Sequence, residues 1–119
     1  MITIYFKMNK ICTDISQSQK LIGLGIDINT ADMFWDMAEP DKRRKPLVGP
    51  ISDYADMEDW AVPAWSLSTL ISMLPKSARL EKGSSTELCR VNLPVELKCS
   101  DWYLDPMDAV FEAYCLLKE

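Results

Sequence analysis

The sequence predicts one α+β domain: a mostly antiparallel sheet packed with about three helices. Three observations point there. Strand-like alternation and helix-like periodicity are both present, without the regular strand–helix succession of a parallel α/β sheet. The chain has 119 residues, the length of a single domain. Hydrophobic residues make up 48% and charged residues 26%, a balance that folds rather than one that stays disordered. Surface scaling gives roughly 6,600 Å² exposed when folded against roughly 19,700 Å² unfolded, enough burial for a core without metal or disulfide staples.

Residues 2–8 alternate, with Ile2, Ile4, Phe6 and Met8 on one side and Thr3, Tyr5 and Lys7 on the other, which is strand periodicity. Met8 offers a second start, which would make residues 1–7 an N-terminal extension of the 1–119 domain. Asp14 and Gln17 form a capping box that opens a short helix, and Gly25 is placed to stop it. Leu21, Ile22 and Leu24 are its expected buried side. Ala31, Met33, Trp35 and Met37 then alternate with Thr30, Asp32, Phe34 and Asp36, as in a strand with one buried face.

Residues 38–60 read as irregular, with Pro46-Leu47-Val48-Gly49 forming at most a short edge strand. A helix is expected from Ser66: Leu67, Leu70, Ile71 and Leu74 follow the i, i+3, i+4, i+7 pattern, and Pro75 ends it. Trp65 precedes the cap and can pack on Leu70 as a hydrophobic staple. Residues 78–82 and 86–93 read as a hairpin around Gly83-Ser84-Ser85, followed by a further strand through Val95, Leu97 and Cys99. The last helix has Asp105 as N-cap, Pro106 in its first turn and Asp108 at the positive end of its dipole. Met107, Val110, Phe111, Tyr114 and Cys115 make its apolar stripe.

The chemistry is bounded mainly by what is missing. The chain has no histidine, which removes the Ser-His-Asp and Cys-His arrangements and the His-Glu-x-x-His zinc site. Its four cysteines, Cys12, Cys89, Cys99 and Cys115, form no Cys-x-x-Cys pair and no common zinc spacing, so free and mostly buried thiols are expected. Gly23-Leu24-Gly25 lacks the third glycine and the preceding strand of a phosphate loop. Asp53, Asp56, Glu58 and Asp59 lie close together but lack the order of an EF-hand, and capping plus solvation accounts for Asp105, Asp108 and Glu112. No cofactor is expected.

The net charge of −5 disfavours nonspecific attraction to nucleic acid or to anionic membrane. No apolar run approaches the length that spans a bilayer, and the first residues lack the basic-then-apolar order of a signal peptide, so the expected compartment is the cytoplasm. The basic run Lys42, Arg43, Arg44 and Lys45 stands beside the acidic one, and Tyr54, Trp60 and Trp65 follow within the same region. Tyrosine and tryptophan supply rigid contact area with a polar handle. Arg43, Arg44, Tyr54 and Trp60 are therefore the candidate partner-binding residues, with core packing the competing role for Trp65.

Several segments carry a resemblance: Thr13-Asp14 with Gln17-Ser18, Thr30-Ala31-Asp32-Met33, Pro63-Ala64-Trp65-Ser66-Leu67-Ser68 running to Leu74-Pro75, and Asp105-Pro106 with Asp108-Ala109. In these the chain resembles a group of uncharacterised small proteins encoded by phages and mobile elements of gut Bacteroidetes. The resemblance implies an origin, not an activity, and transfers no site residues. The sequence thus points to a small non-enzymatic accessory or protein-interaction module with a protein partner and with self-association open. The competing expectation is a carboxylate-based, metal-dependent enzyme. A third is an acidic protein that occupies a nucleic-acid-binding surface of another protein.

Overall fold

A computed structural model describes residues 10–38, 40, 44–49, 61–83, 88–94 and 98–118. The expected strand at 2–8 lies outside them. The helices are α1 (Ile15–Gly23), α2 (Leu67–Met73) and α3 (Pro106–Lys118), with a 3-10 turn at Ile28–Thr30. The strands are β1 (Met33–Asp36), β2 (Pro46–Val48), β3 (Ala61–Ala64), β4 (Arg79–Lys82) and β5 (Cys89–Asn92). They form two antiparallel sheets, one ordered β2-β1-β3 and the other β4-β5, so the α+β class holds.

Each helix begins where its cap residue stands. Asp14 accepts from Gln17 N at 2.7 Å while Gln17 Oε1 accepts from Asp14 N at 3.1 Å, which completes the capping box of α1. Gly25, at φ 93°, takes the left-handed conformation that lets the chain leave this helix. The inner face of α1 is not the expected one. Gln17, Ser18 and Leu21 are buried, Leu24 only partly, and Ile22 is exposed. Leu21 lies one turn on from Gln17 and Ser18, whereas Ile22 is rotated about 100° away from it. The polar pair faces inward because it has partners there: Ser18 Oγ meets Thr13 Oγ1 at 2.8 Å, and Gln17 Nε2 donates to Asp108.

In the three-stranded sheet β1 is central. Phe34 pairs with Leu47 of β2 and with Pro63 of β3. The short edge strand at 46–48 is present as expected, whereas β3 falls on residues 61–64, to which the sequence reading assigns no element, between the irregular region and the helix from Ser66. A proline has no N–H to give a ladder, which an edge strand tolerates. Phe34, on the side expected to face outward, is as buried as Met33, so both faces of β1 are covered there.

The hairpin expected around 83–85 is β4-β5, registered Leu80↔Val91 and Glu81↔Arg90; its turn at 84–87 lies outside the described residues. Residues 98–103 continue this sheet as a broken third strand. Leu93 N donates to Lys98 O, Ser100 N donates to Val91 O, and Tyr103 and Cys89 exchange both backbone bonds. The register shifts by one residue between Ser100 and Tyr103, a bulge opposite Arg90. There the Arg90 guanidinium lies 4.4 Å from the centre of the Trp102 ring. The expected strand through Val95, Leu97 and Cys99 is described only at Cys99, which bridges Asn92.

The main core gathers Leu21, Trp65, Leu70, Val91, Met107 and Val110, each fully buried. Trp65 is therefore a core residue, as the staple reading required. Its indole N–H donates to Thr30 Oγ1 at 2.9 Å. Helix α3 presents Met107, Val110 and Tyr114 inward, but its flank is Ala109 and Ala113, with Phe111 and Cys115 only partly covered. Small alanines let the helix sit close on β5. A second, smaller cluster joins Cys12, Met33 and Ala64, with Trp35 against it.

Candidate functional site

Three groupings of chemical side chains stand out, and the first two prove to be committed to the fold. The first surrounds Ser66, the N-cap of α2. Its hydroxyl donates to Asp32 Oδ2 at 2.6 Å and accepts from Thr69 N at 3.3 Å, while Ser66 N donates to Asp32 Oδ1 at 2.8 Å. Burial would raise the Asp32 carboxyl, but the bonds from Ser66 and Thr69 outweigh it and hold the group below the usual carboxylate range. A carboxylate stabilised in this way is a poor base, so it does not activate the serine. The pair caps a helix and joins two segments 34 residues apart.

The second grouping collects the carboxylates of α3. Asp105 Oδ1 accepts from Met107 N at 2.9 Å, as an N-cap does, and its other oxygen accepts from Lys10 N at 3.1 Å. Asp108 Oδ1 accepts from Lys10 Nζ at 2.6 Å and from Gln17 Nε2 at 2.8 Å. Glu112 accepts from Asp101 N and is bonded to the Tyr103 hydroxyl, whose pKa it raises to about 12. Capping holds for Asp105, whereas Asp108 and Glu112 are tied to protein partners rather than merely solvated. Among the described residues no three acidic or cysteine side chains group as a metal site. The acidic run 53–59 lies outside them.

The third grouping is the thiols. Cys12 and Cys89 are buried, Cys115 is half-buried and Cys99 is exposed, so burial applies to only part of the set. Burial, reinforced by the charges of Asp32 and Asp14, pushes the Cys12 thiol up to about 11, and burial raises Cys89 as well. Neither is a thiolate at neutral pH.

Two concavities are lined by described residues. One, of about 480 Å³, lies between the end of α1, the end of α2 and the last turns of α3, with Ile26, Met73, Leu74 and Leu117 among its walls. Two of its polar groups are already engaged: the Tyr114 hydroxyl donates to Leu70 O at 2.6 Å, and Thr30 Oγ1 donates to Asp27 O at 2.6 Å. The other, of about 320 Å³, lies beside Lys10, Cys12, Asp14, Trp35 and Pro46. Among the described residues no buried side-chain polar atom lacks a partner.

The sheet edge differs from these. β2 holds one edge of its sheet, and along it Leu47 is 44% exposed and Val48 is 82% exposed. Lys45 and Arg44 lead directly into this strand; Arg44 is half-buried and Lys45 exposed. Of the candidate partner-binding residues, only Arg44 falls among the described residues. Arg43, Tyr54 and Trp60 lie outside them. The sequence reading missed Leu47 and Val48 as surface candidates, although it had marked their segment as an edge strand. Two apolar side chains on an exposed edge were the signal.

No protein-family model, curated protein or solved structure matches this chain. No helix among the described residues is long and apolar enough to cross a membrane.

Proposed function

We propose that this chain is a small, non-enzymatic accessory module that binds another protein in the cytoplasm, through an edge that accepts an extended segment of that protein. The observation that carries the reading is β2: an edge strand with Leu47 and Val48 exposed, entered through a basic run. An exposed edge offers unpaired backbone groups for strand addition, and apolar side chains on it add contact area. The partner that fits is an extended apolar segment flanked by acidic residues, which would meet Lys42, Arg43, Arg44 and Lys45. Tyr54 and Trp60, close by in sequence, are proposed to extend this surface. The resemblance to proteins of phages and mobile elements favours an accessory role of this kind.

The test uses the tagged chain in cells of its native host. Partners recovered by the unsubstituted protein are identified and then measured against Val48→Lys and Arg43→Glu/Arg44→Glu, with circular dichroism showing that each variant folds. A loss of about tenfold or more in affinity is expected for Val48→Lys, in the range of a peripheral interface anchor. If every recovered partner binds both variants as tightly as the parent, the assignment to this edge is wrong.

A further inference from the structure

The cavity of about 480 Å³ lies where three helices finish. Helix α1 ends at its C-cap Leu24, next to Gly25 and Ile26 of the lining, while α2 ends at Leu74 and α3 at Lys118, both in the wall. The negative ends of three helix dipoles thus meet at one space. Each end carries roughly half a negative charge, and the exposed Asp27 adds a full one at the margin. Lys118 is the one basic residue in this lining, and its single positive charge does not balance the rest. Asp27 also keeps an oxygen for a ligand: Oδ1 accepts from Asn29 N at 3.0 Å, and no described residue bonds Oδ2.

The walls are of another kind. Ile26, Met73, Leu74, Pro75 and Leu117 are half-buried apolar side chains, and the Tyr114 and Thr30 hydroxyls donate to carbonyls of the fold rather than to the cavity. An anion is repelled by Asp27 and by the helix ends, and a neutral ligand makes no use of their charge. We infer that this cavity takes a small organic ammonium ion with an apolar body. The ammonium donates to Asp27 Oδ2 at the margin, and the hydrocarbon part lies among Met73, Leu74 and Leu117. The volume is that of a small-molecule site, and the unbranched side chain of Met73 adapts to bodies of different shape. The site is separate from the edge of β2 and does not depend on the role given to that edge.

Magnetic-resonance titration of the isotope-labelled full chain at neutral pH tests this, with phenylbutylamine, phenylbutanol and phenylbutyrate as probes that share a body and differ in charge. The amine is expected to shift the amides of Gly25, Asp27, Met73 and Leu117 with a Kd of about 1 mM or below. It should bind about tenfold more tightly than the carboxylate. Asp27→Asn keeps an acceptor for Asn29 N and should weaken the amine about fivefold while leaving the alcohol unchanged, and Lys118→Gln should tighten the amine about twofold. Equal binding of the three probes, an amine indifferent to Asp27→Asn, shifts confined to other residues, or no saturable shift up to about 10 mM amine overturns the inference. Should Asp27→Asn alter the circular dichroism spectrum, salt decides on the parent chain: a Kd for the amine that rises about threefold between low salt and about 0.3 M supports the site, and a Kd that stays constant refutes it.

Discussion

Replacing Ser66 by alanine tests the fold at the point where its two halves are joined. The hydroxyl caps α2 through Thr69 N and donates to Asp32 Oδ2 at 2.6 Å. Loss of a serine N-cap costs about 1 kcal/mol. A hydrogen bond to a charged group contributes about 1.5–3 kcal/mol. Asp32 is half-buried and keeps the bond from Ser66 N, so water replaces part of what is lost and the lower end applies. The expected cost is about 2.5 kcal/mol in all, or roughly 10 °C in Tm for a domain of this size.

Urea unfolding followed by far-ultraviolet circular dichroism measures this, with the slope m unchanged if only the native contacts are affected. Asp32→Asn supplies the second arm. Because the folded pKa of Asp32 lies below its unfolded value, the group adds stability that is present above about pH 4 and is lost as the pH falls through the folded value. The deficit of Asp32→Asn against the parent should therefore shrink on acidification below about pH 4. A cost for Ser66→Ala under about 0.5 kcal/mol, within the ordinary range of surface substitutions, would refute the assigned role.

Four further outcomes follow from the same geometry. Tyr114→Phe removes a buried bond to Leu70 O and should cost about 1–2 kcal/mol in the same urea assay. Since burial raises the Tyr114 phenol to about 12, the stability it contributes is complete below about pH 10 and is lost as the pH rises through 12, which absorbance titration reads. Lys10→Met breaks the contacts to Asp14 and Asp108; both pairs are part-exposed, so the cost should be about 1 kcal/mol or less and diminish with salt in parallel denaturation curves. Burial tends to lower the Lys10 pKa, yet its bonds to Asp108 and Asp14 raise it overall, so this contribution persists at neutral pH and is lost as the pH rises above the ordinary lysine range. Thr13→Val should cost about 2–3 kcal/mol, because the buried Trp65 N–H and Ser18 hydroxyl both lose their partner, and Thr13→Ser should recover most of it. With a thiol-specific disulfide reagent on the native chain, Cys99 should react first, and Cys12 and Cys89 only after denaturant is added.

Local signals were legible in the sequence wherever a partner lies within about one helical turn. The caps at Asp14, Ser66 and Asp105 are of this kind, each recognisable by a short polar side chain before a periodic run. The hairpin was equally legible, since register across a tight turn is a local property. What stayed hidden depends on distant segments. Gln17 and Asp108 are 91 positions apart, and nothing near Gln17 in sequence indicates that it faces inward. Ile22 misled for the same reason: its hydrophobicity was visible, but the helix face had been chosen by polar partners elsewhere. Asp32 read as an outward residue on a strand, whereas it precedes β1 and reaches across to Ser66. The partner-binding surface was legible only as a region, through its charges and aromatics, because exposure along an edge is a property of the assembled sheet.

Segment 10–14 explains why so much of this polar chemistry is structural. It crosses between the three-stranded sheet and the N-terminus of α3 without belonging to either, so its backbone cannot be satisfied by a ladder of its own. Several of its groups are met individually instead. Thr13 N donates to Trp65 O at 3.0 Å, Thr13 O accepts from the Trp35 indole at 2.9 Å, and Lys10 N donates to Asp105. The side chains do the same, Thr13 toward Trp65 and Ser18, Lys10 toward Asp108 and Asp14. Asp14, Asp105 and Asp108 are thus engaged in holding one irregular segment between two packed layers, while the acidic run 53–59 lies outside the described residues. This moves the search for function elsewhere, to the edge at Leu47 and Val48 and to the cavity where the three helices end.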